Sequence, residues 1–65
     1  MPVLKFHSDT SMVQALHDMG EIDEDLYDQV NPNSYKSVIE IPDEIWAEYE
    51  ADIRTIADAY GADID

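Results

Sequence analysis

Sixty-five residues hold one domain at most, taken as 1–65. With 45% hydrophobic residues, and acids scattered among them rather than gathered in a block, the chain does not have the composition of a disordered acidic tail. Sixteen Asp and Glu against three Lys and Arg give a formal charge of −13, which argues against direct binding of DNA, RNA or an anionic membrane, all of which require a cationic surface.

Val3 to His7 reads as a first strand, with Leu4 and Phe6 on one face and Val3, Lys5 and His7 on the other. The cluster Ser8-Asp9-Thr10-Ser11 supplies N-cap residues, with Ser11 and Gln14 at capping-box spacing and Asp9 an equally good cap. A helix is expected from Thr10 or Ser11 to Met19, with Met12, Val13, Leu16 and Met19 at helical spacing and Gly20 closing it. Asp23 then caps a short second helix from Glu24 to Val30, with Ile22 and Tyr27 placed for a hydrophobic staple. Asn31-Pro32-Asn33-Ser34 reads as a loop. Tyr35 to Ile41 reads as the second strand, with Tyr35, Ile39 and Ile41 on one face.

Pro42 to Tyr60 is the longest predicted helix. Pro42 suits a helix start, Asp43 and Glu44 complement the helix dipole, and Gly61 lies where a helix commonly ends. Its apolar stripe is Trp46, Tyr49, Ile53, Ile56 and Tyr60, flanked by Ile45 and Ala57, and Trp46 in mid-stripe is expected to be buried. Residues 61–65 read as a frayed tail. The expected fold is a small α+β domain, a two-stranded sheet packed against three helices in the order β-α-α-β-α. A lone two-stranded sheet leaves its edges open, so either helices cover them or two copies pair as a homodimer.

Catalytic chemistry has little to stand on. With no cysteine, disulfides and thiolate metal sites are excluded, which fits a reducing compartment. His7 and His17 form no His-x-x-x-His pair, Ser8, Ser11 and Ser34 lie in capping or loop contexts, and no glycine-rich phosphate loop occurs. Asp23-x-Asp25-x-x-Asp28 lacks the glycine and the bidentate Glu of a calcium loop. Neither an enzyme, a cofactor nor a metal is therefore expected. No signal peptide stands at the start and no apolar run approaches the roughly 20 residues that span a bilayer, so a cytoplasmic protein is the expectation.

The polar features that remain are two acidic rows. Glu44, Glu48 and Asp52 follow one another at i,i+4 on the long helix, with Asp58 beyond them; Asp23, Glu24, Asp25 and Asp28 cluster at the helical hairpin. Like charges at i,i+4 cost about 0.2–0.5 kcal/mol per pair, so a sequence selected for stability alone would place Lys or Arg among them. Two readings compete. In one, these residues are a solvated surface on an interaction or assembly module whose acidity serves solubility or halophilic adaptation. In the other, they imitate a phosphate backbone and engage a basic nucleic-acid-binding protein. In size and charge the chain is similar to small acidic proteins of bacteriophages and mobile elements, including anti-restriction and anti-CRISPR proteins, and that resemblance implies an inhibitor acting as a nucleic-acid mimic.

Such a surplus of one sign makes the folded chain repel itself. Its Tm should therefore rise steadily with NaCl, because the Debye length falls from about 10 Å at 0.1 M to about 3 Å at 1 M. A flat or falling curve in a thermal melt series would show that the carboxylates are internally paired or bind a specific counter-ion.

Overall fold

The computed structural model describes residues 1–65. Its elements run β1 (Val3–Lys5), α1 (Asp9–Ile22), α2 (Glu24–Gln29), β2 (Asn31–Asn33), β3 (Val38–Glu40), α3 (Asp43–Ala59) and β4 (Asp63–Ile64). All strand pairings are antiparallel, and the sheet order is β2-β3-β1-β4. The α+β class with three helices stands, but the expected two-stranded sheet is overturned by a sheet of four strands.

The two added strands come from segments with poor strand composition. Asn31-Pro32-Asn33, expected as a loop, pairs with β3 in the register Asn31↔Glu40, Pro32↔Ile39 and Asn33↔Val38. Proline is tolerated because β2 is an edge strand and the N–H it lacks would point outward. Gly61 to Asp65, expected to fray, is instead turned back onto β1. Gly61 adopts φ +66°, Ala62 N–H donates to Ala57 C=O at 2.8 Å and Gly61 N–H to Asp58 C=O at 3.3 Å. This is the Schellman pattern of a helix end, and it sends the chain antiparallel to β1, where Val3 and Asp65 exchange both backbone hydrogen bonds at 3.1 and 2.8 Å.

The predicted second strand starts later than expected. The Asn33 side-chain oxygen accepts from Tyr35 N–H at 3.0 Å and Lys36 N–H at 3.3 Å, and Ser37 takes φ 55°. Those bonds fold Ser34–Ser37 into a hairpin turn, so Tyr35 is 95% exposed rather than part of the core. Ile39 and Ile41 are buried as expected.

α1 begins one step earlier and ends later than the sequence suggests. Ser8 caps it, accepting from Ser11 N–H at 3.2 Å, and the helix continues through Gly20 to Ile22. Gly20 therefore sits inside the helix rather than closing it. The Tyr27 side chain lies against it: a Cβ there would meet Tyr27 Cδ2, Cβ and Cγ at 3.6–3.7 Å, ordinary contact. Tyr27 thus packs on Gly20 rather than serving as a core residue, and it, Val13 and Ile22 are substantially exposed.

One face of the sheet carries the core. Leu4, Phe6, Ile39 and Ile41 meet Met12, Ala15 and Met19 of α1, Leu26 and Val30 around α2, and Ile45, Ile53, Ile56 and Ala57 of α3. The other face, with Lys5, Glu40, Asn31, Asn33 and Asp63, is exposed. No polar or charged residue is buried. The centre of the α3 stripe is Ile53, fully buried, while Trp46, Tyr49 and Tyr60 are half-buried at its margins. The expected burial of Trp46 is corrected accordingly; Ile45, Ile53 and Ile56 are the buried isoleucines of α3, and the Arg54 guanidinium stands 5.1 Å from the Trp46 ring centroid. No helix is long and apolar enough to cross a membrane.

Gly20→Ala should stabilise the protein by about 0.5–1 kcal/mol, because alanine is the better helix former and its methyl group finds ordinary contact against Tyr27. Chemical denaturation measures this directly. A loss of stability would show that the Tyr27 ring cannot tolerate even that contact.

Candidate partner-binding surface

The carboxylates singled out in the sequence fall into three places. Glu24, Asp25 and Asp28 are exposed on α2; Glu44, Glu48 and Asp52 are exposed along α3; Asp58 is exposed in the last turns of α3, beside β4. The α3 row is not straight, because Tyr49, between Glu48 and Asp52, has non-helical φ −117° and ψ 19°.

Asp23 has a different role from its neighbours. One carboxylate oxygen accepts from Asp25 N–H at 2.9 Å and caps α2, and the other accepts from the Tyr49 hydroxyl at 2.7 Å. Both oxygens are engaged inside the molecule. The Tyr49 bond, followed by the Asp25 bond, holds the Asp23 carboxyl below the usual carboxylate range. The same Tyr49–Asp23 bond is the main reason that the Tyr49 hydroxyl is pushed up to about 12, with partial burial and the negative charges of Asp23, Glu48 and Asp25 adding to it. Because Asp23 is the N-cap of α2 and Tyr49 lies in α3, this bond joins the two helices that carry the acidic segments.

A second tyrosine does the same further along. The Tyr60 hydroxyl donates to Asp18 of α1, and that bond raises the Tyr60 hydroxyl above its ordinary value. Sequence reading placed Tyr49 and Tyr60 on an apolar stripe and overlooked Asp18. The available signal was the hydroxyl itself, since a half-buried tyrosine takes a hydrogen-bond partner.

The cations are elsewhere. Lys5 pairs with Asp65 at 3.0 Å, Arg54 with Glu50 at 2.8 Å, His17 with Glu21 at 3.2 Å and the terminal amine with Asp43 at 3.5 Å. Lys36, at the β2–β3 hairpin tip, makes no ion pair. Glu24, Asp25, Asp28, Glu44, Glu48, Asp52 and Asp58 take part in none of these pairs, so their charge is presented to solvent without compensation. No three His, Asp or Glu side chains converge as a metal-ligand set. No family model, curated protein or solved structure matches this chain.

The Tyr49–Asp23 bond makes a pH signature. Asp23 has a depressed native pKa, so its contribution is present above the ordinary carboxylate range and lost as pH falls through the lowered value. Tyr49 has a raised pKa, so its contribution is present below the ordinary tyrosine range and lost as pH rises through about 12. Tyr49→Phe should lower the Tm at neutral pH, and the gap to the unsubstituted protein should close at both extremes. A gap that is constant across a pH series of melts would mean that the hydroxyl bond adds nothing and only the ring matters.

Proposed function

We propose that this chain is a protein-binding inhibitor of the phage or mobile-element kind, presenting a nucleic-acid-like negative surface to a basic DNA- or RNA-binding protein. It acts by binding and not by catalysis. One observation carries the reading: Glu24, Asp25 and Asp28 of α2 and Glu44, Glu48 and Asp52 of α3 are exposed and in no ion pair, on two helices joined by the Tyr49–Asp23 bond.

A duplex offers its binders negative charge at close intervals along a rigid rod, and those charges act together over roughly a Debye length. Glu44, Glu48 and Asp52 on a helix, extended by Asp25, Glu24 and Asp28 on the helix beside it, offer charge in a comparably fixed arrangement. Tethering of Asp23 to Tyr49 favours this role, because a surface whose parts are held in register need not be ordered when the partner arrives. Repulsion between these groups is a cost that a purely structural surface would relieve with interspersed lysines.

Reversing Glu44, Glu48 and Asp52 to Lys should abolish partner binding and leave the fold intact, since lysine is a good helix former at exposed positions. Single reversals should give graded losses, and raising salt should slow association more than it speeds dissociation. Competition decides the matter: the protein is titrated into a complex of the partner with labelled DNA or RNA. Displacement of the nucleic acid is the expected result; a ternary complex in which neither displaces the other overturns the mimic reading.

A further inference from the structure

The sheet has two edges, and they are not equivalent. In β2 the outward-facing residue is Pro32, which has no N–H to offer. In β4 the inward bonds are made by Asp63 and Asp65, which flank Ile64: Val3 and Asp65 exchange both bonds, and Lys5 faces Asp63. By the alternation of an antiparallel ladder, the N–H and C=O of Ile64 point away from β1, toward the open edge. Ala62 N–H is already bonded to Ala57 C=O, so the free edge begins after it.

Beside that edge lies a shallow, open groove lined by Arg54, Thr55, Ala57 and Asp58 of α3 and by Ala62, Asp63 and Ile64. Two alanines leave it open where larger side chains would fill it. Arg54 is drawn toward Glu50 and the Trp46 ring, and Asp58 and Asp63 are in no ion pair. The groove is therefore shaped for backbone and short apolar side chains, and its rim carries negative charge.

We propose that the outer edge of β4 and the groove between it and α3 form a strand-addition site for an extended cationic segment of another protein. Its sequence preference follows from the pleat. The residue paired with Ile64 points to the α3 side and meets Ala62, so it is a small aliphatic one. Its two neighbours point to the open sheet face beside Asp63 and Asp65, so they are Lys or Arg. Lys5 on β1 already stands in that relation: it lies opposite Asp63 and reaches Asp65 at 3.0 Å. A second copy of the chain is the wrong occupant, because pairing β4 with itself about Ile64 sets Asp63 of one copy against Asp65 of the other, and like charges directly opposite are destabilising. The site stands on the sheet edge and does not depend on the mimic reading of the α2–α3 surface.

The test uses a short capped peptide of alternating lysine and valine, titrated into the isotope-labelled full chain at physiological salt and followed by NMR. The expected result is a shift of the Ile64 amide with those of Ala62 and Asp63, and retention of the β1–β4 cross-strand contacts. Methylating the backbone nitrogen of the central valine leaves the charge unchanged and removes one bond to Ile64, and should weaken binding about tenfold. Ile64→Pro should do the same from the other side, by removing the outward N–H. The proposal is overturned if the methylated peptide binds as well as the plain one, if the shifts fall on Glu44, Glu48 and Asp52 instead, or if the Ile64 amide shifts with protein concentration alone.

Discussion

Every charge of this chain lies outside its core, and that separation is the constraint on which the rest of the structure depends. The buried cluster contains no polar residue, and no buried side-chain polar atom lacks a partner. Each fully buried aliphatic side chain contributes about 1.5–3 kcal/mol, whereas each exposed like-charge i,i+4 pair costs about 0.2–0.5 kcal/mol. Burial of Leu4, Ile39, Ile41 and Ile53 alone therefore outweighs the repulsion along α3 several-fold. The acidic surface is tolerated because none of it intrudes on that interior.

Between the apolar interior and the charged exterior stand Tyr49 and Tyr60. Each packs its ring at the margin of the core and aims its hydroxyl at an acid, Asp23 or Asp18, on the neighbouring helices. Hydrogen bonds to a charged acceptor are stronger than neutral ones, and here they tie α3 to α1 and to the N-cap of α2. The orientation of α2 against α3 sets where Asp25 lies relative to Glu48. Two of the sixteen acids thus hold the fold together, and the geometry of the free ones depends on them.

Edges are the other feature that so small a sheet must manage. The hairpin β2–β3 ends one side with a proline and a turn braced by the Asn33 side chain. The Schellman turn at Gly61 ends the other with a short strand against β1. Both outer strands are brief, and both exist only because β1 and β3 stand between them.

Much of this was legible in the residues. Periodicity and end signals placed α3 between Pro42 and Tyr60, the Asp23 cap placed α2, and alternation put Leu4 with Phe6 and Ile39 with Ile41 on the core face. The acids of the candidate surface could be named, because exposed carboxylates at regular helical spacing are a local property. Which of them meet could not, since Tyr49 and Asp23 are 26 residues apart. Tertiary structure alone decided the rest. Asn31-Pro32-Asn33, and Asp63-Ile64 with a single β-favouring residue, are too short and poor in strand formers to be read as strands, and become strands by pairing with β3 and β1. Gly20 lies inside α1 with the Tyr27 side chain beside it, and Tyr35 is exposed in a turn where its N–H donates to the Asn33 side-chain oxygen. Local sequence specifies what the nearest few residues can do, but a ladder hydrogen bond or a ring against a helix needs a partner from elsewhere in the chain, and only the folded packing supplies it.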